Sequence, residues 1–202
     1  MPHDADNFLR QLFGSSALAA KVKLHGGSSI HSVQWERLSC TIVSMAFFDC
    51  LKSKADIVTE TGYIRGCYEE TINGLTTSDK LRELLANPES EHADVFTDPQ
   101  KGELIYHLFK SLSLGGAMCQ PDENLEKYKD VTKLIYKDLM SVFKNSSTGK
   151  VEVTSQAFRI TGVNGVSSGL FKAESPYHTC LVVIDRTQRC VSVVWKEFVP
   201  FW

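Results

Sequence analysis

The sequence has no C-x-x-C pair, no H-E-x-x-H or H-x-H motif and no G-x-x-x-x-G-K-[ST] loop among its 202 residues. The spacings that announce a zinc knuckle, a redox dithiol, a zinc protease or a phosphate-cradling loop are therefore missing. No apolar run approaches the roughly 18 residues that a membrane span requires, and no basic flank precedes a continuous apolar stretch near Met1. Charge of one sign is also lacking. The 22 basic residues face 24 acidic ones, for a formal net charge of -2, which leaves no global field to recruit nucleic acid or an anionic membrane. The expectation is a soluble, unsecreted protein with neither nucleic acid nor membrane as a partner.

What is present is ordinary globular composition, 43% hydrophobic and 23% charged, at a length that buries a sizeable core. One domain over residues 1–202 is the default. Six cysteines, Cys40, Cys50, Cys67, Cys119, Cys180 and Cys190, are widely spaced and mostly adjoin apolar residues, as small buried hydrophobes do. Reduced thiols without a metal or redox role are expected. His3, His25, His31, His92, His107 and His178 are scattered, with no partner nearby in sequence to make a ligand or a base. His107 falls on the polar side of a helical stretch, where it is expected to be solvated.

Phe8, Leu9, Leu12 and Phe13 sit at helical spacing until Gly14-Ser15-Ser16 interrupts them, which predicts a first helix over 7–18. Alternation in Lys21-Val22-Lys23-Leu24 predicts a half-buried edge strand before a turn at Gly26-Gly27-Ser28-Ser29. From Leu38, the β-branched group Thr41-Ile42-Val43 passes into Met45, Ala46, Phe47, Phe48 and Leu51, a strand leading into a helix. Gly62, Gly66 and Gly74 predict a loop-rich region around Tyr63 and Tyr68.

Three helices follow from their end signals. Thr77-Ser78-Asp79 caps a short one carrying Leu81, Leu84 and Leu85, which Pro88 stops. Asp98-Pro99 opens a second, with Leu104, Ile105, Leu108, Phe109 and Leu112, that ends at Gly115-Gly116. A third runs over 130–144, with Leu134, Ile135, Leu139, Val142 and Phe143 on one face. Runs rich in β-formers then dominate: Val151, Val153, Phe158 to Ile160, Leu181 to Ile184, and Val191 to Trp195. Asp185-Arg186-Thr187-Gln188-Arg189 joins the last two at hairpin length, and 162–169 is a Gly/Ser/Asn loop. The expected fold class is α+β: a mostly antiparallel sheet of C-terminal strands plus one or two N-terminal strands, packed against three or more helices on one face.

Chemistry is sparse. Gly115-Gly116-Ala117-Met118-Cys119-Gln120-Pro121-Asp122 places paired glycines before a short apolar strand and so resembles the iron- and 2-oxoglutarate-dependent oxygenases, whose strand offers iron a His-x-Asp pair. Here Gln120 and Asp122 hold that spacing, and a neutral amide is a poor substitute for imidazole. A helix stop at Gly115 and a loop closed by Pro121 explain the same residues. Lys127, Lys129, Lys133, Lys137 and Lys144 around Tyr128 and Tyr136 make the best basic stripe, diluted by Glu123, Glu126, Asp130 and Asp138; a solvated amphipathic face open to a protein partner explains it better than nucleic acid. The aromatic tail from Val194 to Trp202 needs cover, from the helices or from a partner. No catalytic, cofactor-binding or metal-binding residue is assigned.

The segment His107-Leu108-Phe109-Lys110-Ser111-Leu112-Ser113-Leu114-Gly115-Gly116-Ala117-Met118-Cys119-Gln120, followed by Thr132-Lys133-Leu134-Ile135-Tyr136-Lys137-Asp138-Leu139-Met140-Ser141-Val142, resembles the cilia- and flagella-associated protein 300 family. The resemblance extends from about Arg37, through Ser44-Met45-Ala46-Phe47-Phe48 and Ser78-Asp79-Lys80-Leu81-Arg82, to Val182-Val183-Ile184-Asp185. It implies a non-catalytic factor in cytoplasmic preassembly of outer and inner dynein arms. Assembly factors, axonemal dynein subunits and intraflagellar transport are its implied partners, and cytoplasm and ciliary axoneme its locations. It also implies a further N-terminal portion preceding these residues. An oxygenase-like domain around Gln120 and Asp122, and a microtubule-binding protein using Lys127 to Lys144, stand as alternatives.

Overall fold

The computed structural model describes residues 2–22, 24, 30–53, 56–115, 122–147, 149, 151–166 and 169–200. Strand β7 (Thr179–Asp185) is apolar on both sides of its pleat, a pattern that suits a strand covered twice. It lies inside an antiparallel sheet ordered β1 (Ser32–Leu38), β6 (Gln156–Asn164), β7, β8 (Cys190–Lys196), where β2 to β5 are strands introduced below. Ala157, Leu181, Val183 and Leu38 enter a core with Phe48, Leu81, Phe96, Leu104 and Phe109. The alternate residues Phe158, Ile160, Cys180 and Val182 form a second core with Leu9 and Phe13 of α1 (Pro2–Gly14).

The fold is thus α+β as expected, but helices cover both faces of the sheet rather than one. Leu9 and Phe13 stand four residues apart on α1, fully buried on its sheet-facing side. Trp35 packs edge-on against Phe158, with ring centroids 5.3 Å apart. Its indole N–H donates to Asp6 Oδ1 at 2.5 Å, which ties α1 to the sheet edge.

The opposite layer holds α4 (Lys80–Ala86), α5 (Asp98–Lys101), α6 (Leu104–Leu114) and α7 (Leu125–Leu139), together with a 3-10 turn over Met45–Asp49 and the short α3 (Cys50–Ser53). Asp79 caps α4 by accepting from Arg82 N at 2.9 Å, and the helix gives way at Asn87 before Pro88, as the sequence predicts. The stretch opened by Asp98-Pro99 is two helices. Gln100 closes a capping box with Thr97 on α5, the chain breaks at Gly102, and α6 runs on to Gly115 at φ 68°. That left-handed stop needs glycine.

Several sequence expectations change, each for a local reason. Lys21 ends a helix, α2 (Ser16–Lys21), because Ser15 caps four good helix formers; Val22 is its C-cap and no edge strand forms there. The amides of Thr41 and Ile42 are taken by the Glu103 carboxylate at 3.0 and 3.4 Å, so 41–43 pairs with no strand. The glycines after residue 60 include the turn of a hairpin, β2 (Gly66–Ile72) with β3 (Leu75–Asp79). Asn73 and Gly74 turn it, both at positive φ (48° and 82°), the geometry that Asn-Gly favours. The third helix starts earlier than 130 and ends at Leu139. Asn124 caps it, Met140 leaves it in an extended conformation, and Val142 and Phe143 enter β4 (Val142–Lys144), paired with β5 (Val151–Val153). Finally, β6 continues to Asn164, so Gly162 lies within it. A Cβ there would meet Gln34 Oε1 at 2.7 Å, beside the bulge between Gln34 and Trp35.

Candidate functional site

Gln120 and the glycine pair's second member, Gly116, lie outside the described residues, as do Cys119 and Pro121; Asp122 does not. Its Oδ1 accepts from Asn124 N at 2.9 Å, its Oδ2 pairs with Lys127 at 2.7 Å, and its own N–H donates to the Tyr128 hydroxyl at 2.8 Å. The hydrogen bond from Lys127, then that from Asn124, holds its carboxyl below the usual carboxylate range. Asp122 is therefore committed to starting α7. Among the described residues no cluster of three His, Cys, Asp or Glu side chains could hold a metal ion.

The basic stripe is similarly spent. Lys129 is buried and reaches Asp49 at 3.0 Å and Glu126 at 3.3 Å, while Lys52 reaches the same Glu126 at 2.9 Å. These pairs bind α7 to the 3-10 turn and α3. Lys133 and Lys137 are exposed on the same outer face as Asp130 and Asp138, which leaves little net field for a polyanion.

One motif escaped the sequence reading. Gly165-Val166-Ser167-Ser168-Gly169 has the G-x-S-x-G spacing of a hydrolase nucleophile turn. That turn must lead from a strand into a helix. Here it follows β6 and opens onto a stretch without a helix among its described residues, and Ser167 and Ser168 lie outside them.

The thiols are held protonated where they are deepest. Burial pushes Cys180 up to about 12, and burial and then Glu103 push Cys40 up to about 11. His107 is half-buried between α6 and the sheet rather than solvated, and burial, followed by Arg159 and Lys110, lowers its pKa to about 4 from 6.5. A depressed histidine costs stability on protonation. As pH falls from 6.5 toward 4, the unfolded chain takes up a proton that the folded chain refuses. Denaturant titrations are expected to show the native state losing about 2 kcal/mol more across this window in the parent protein than in His107→Gln.

The tail aromatics divide. Phe198 is buried, edge-on to Tyr177 with centroids 5.1 Å apart. Trp195 stacks on Phe171 at 5.7 Å, and Phe171 on His178 at 4.1 Å. The protein itself covers these; Phe201 and Trp202 lie outside the described residues. What stays uncovered is elsewhere. Leu125, Tyr128, Thr132 and Tyr136 form the inward stripe of α7, which leaves Val131 44% and Leu134 63% exposed. The β4–β5 ribbon adds exposed Val142, Phe143 and Val151. It is a two-stranded sheet of its own, so its outer backbone edges join no other strand among the described residues. This outer face of α7 and the ribbon, where exposed apolar side chains stand among balanced charges, is the candidate site.

The family model described as cilia- and flagella-associated protein 300 matches residues 1–196. A protein of that name from Chlamydomonas reinhardtii is 34% identical over 179 residues, covering 87% of this chain and 70% of the relative. Another from Paramecium tetraurelia is 26% identical over 200 residues, covering 98% of this chain and 77% of the relative. No solved structure matches. No helix among the described residues is long and apolar enough to cross a membrane.

Proposed function

This chain belongs to the cilia- and flagella-associated protein 300 family, and from that membership we propose that it is a non-catalytic adaptor in cytoplasmic preassembly and ciliary delivery of outer and inner axonemal dynein arms. Association with cilia and flagella comes with the family; the dynein-arm role is our reading of it. The observation that carries the adaptor half is the exposure of Leu134 and Phe143, 63% and 45%, on consecutive elements that nothing else in the described chain covers. Large apolar side chains held outward on a helix and a free-edged ribbon suit a partner that adds a strand or lays a helix across them. The partners on this reading are dynein subunits, their assembly factors or transport components, met first in the cytoplasm. The microtubule alternative loses support because Lys127 and Lys129 are held in ion pairs. The oxygenase alternative loses it because Asp122 is engaged on three sides.

Affinity purification from ciliated cells tests the proposal. The parent chain is expected to recover axonemal dynein chains or their assembly factors. Leu134→Asp with Phe143→Asp is expected to reduce that recovery at least ~10-fold, the loss of about 1.4 kcal/mol, while its melting temperature stays within about 2 °C because both sites are outward-facing. Recovery of none of these proteins by the parent chain under gentle conditions would sink it.

A further inference from the structure

Between α6 and the ends of β1, β6 and β7 lies a cavity of about 340 Å³. Its wall carries three cations, Lys101, Lys110 and Arg159, from three different elements, against one carboxylate, Glu36. Only part of that charge is answered by the protein. Lys101 donates to the Ala93 carbonyl at 2.9 Å, and Arg159 approaches Glu36 at 3.4 Å, a long contact between two partly exposed groups. Lys110 is half-buried on the sheet-facing side of α6, and no described residue accepts a hydrogen bond from it. Burial, then Arg159 and Lys101, pushes the Lys110 pKa down, as expected for a cation drawn out of water among like charges. A structural role would have matched Lys110 with an acid, as Lys129 is matched with Asp49 and Glu126. Natural proteins keep an unanswered charge cluster at half-burial where a ligand answers it.

We propose that this cavity binds a phosphomonoester, with Lys110 and Arg159 on the phosphate and the hydroxyls of Ser111 and Thr179 within its wall. The surplus of cations calls for more than one negative charge, and a phosphomonoester brings about -1.5 to -2 with three acceptor oxygens. The volume exceeds that of phosphate alone, and Tyr106 and Tyr177 offer aromatic surface to the rest of the ligand. The source is either a small organic phosphate or a phosphorylated side chain of another protein. The site is separate from the outer face of α7 and stands or falls independently of the adaptor reading.

The test is calorimetry on the full chain at fixed ionic strength, with adenosine monophosphate against adenosine, and a short phosphoserine peptide against its unphosphorylated form. Binding of one phosphorylated probe and not of its control is expected, and which one binds identifies the source. Lys110→Met is expected to weaken it at least ~10-fold and Lys110→Arg to keep it within about 3-fold, since a lost charge-assisted contact is worth a factor of that order. Without ligand, Lys110→Met is expected to melt about 2–4 °C higher, because an unpaired, desolvated charge is gone; loss of binding then cannot come from unfolding. Arg159→Gln, at a half-buried strand position beside Lys110, serves as a second variant and is expected to weaken binding too. No response to either phosphorylated probe, equal response to the phosphorylated and plain probes, response to inorganic phosphate alone, or full binding by both Lys110→Met and Arg159→Gln overturns the proposal.

Discussion

Glu103→Ala is expected to lower stability by about 2–3 kcal/mol, read as a shift of the urea midpoint at unchanged slope. Glu103 is 4% exposed at the start of α6. One oxygen accepts from Thr41 N at 3.0 Å and Ile42 N at 3.4 Å, and the other accepts from the Thr41 hydroxyl. Alanine removes the acceptor these groups have among the described residues; Thr41 is exposed and Ile42 half-buried, so water answers part of what is freed and the main loss is the charge-assisted bonds. Two controls separate the contributions. Glu103→Gln keeps an acceptor oxygen without the charge and is expected to lose about half as much. Thr41→Val removes one hydroxyl bond and is expected to lose about 1 kcal/mol. A loss below 1 kcal/mol for Glu103→Ala would mean that the 41–43 segment is held by something else.

The second large effect lies in the helical core. Phe109 is fully buried, stacked on Phe48 with centroids 4.1 Å apart at 27°, and edge-on to Tyr128 at 6.5 Å. Phe48 meets Phe96 in turn at 6.2 Å, and Phe96 meets Tyr106 at 5.2 Å. Phe109→Ala therefore opens a cavity in the middle of an aromatic chain whose members come from the 3-10 turn, α6, α7 and the loop before α5. The expected cost is about 3–5 kcal/mol by equilibrium denaturation. Phe109→Leu, which fills most of the volume, is expected to cost about 1–2 kcal/mol. Similar losses for the two variants would show that stacking geometry outweighs volume here.

Elements with strong end signals were legible in the sequence. Asp79 and Pro88 bracket α4, and Gly115 ends α6, because capping chemistry is local and needs no tertiary context. The β7–β8 hairpin was equally plain, its turn held by Asp185 accepting from Thr187 N at 2.8 Å and Gln188 N at 2.9 Å. What stayed hidden depends on distant partners. Thr41-Ile42-Val43 has strand propensity that a carboxylate 62 residues away overrides. Leu134 shares helical spacing with apolar neighbours, yet Leu125, Tyr128 and Tyr136 take the inward face, and only the position of the Asn124 cap reveals that phase. The Asn73-Gly74 turn was legible and passed over, because three nearby glycines made the region look irregular. For the site, the sequence showed that metal and nucleotide motifs were missing. It could not show that Lys101, Lys110 and Arg159 converge, since they come from different elements.

The order of strands in the sheet also sets when the protein can first exist. Ser32 and Asn164 pair across 132 residues, so β1 waits for its neighbour until most of the chain has been made. The last strand then supplies Lys196, whose ammonium closes the end of α6 through the Ser111 carbonyl at 2.7 Å. Until β6 and β7 arrive, α1 has no sheet to cover, and Leu9 and Phe13 lack the partners Phe158, Ile160, Cys180 and Val182. Truncation before β7 is expected to give an aggregated rather than a soluble chain, read by sedimentation, because β6 then keeps an open edge and the second core is incomplete.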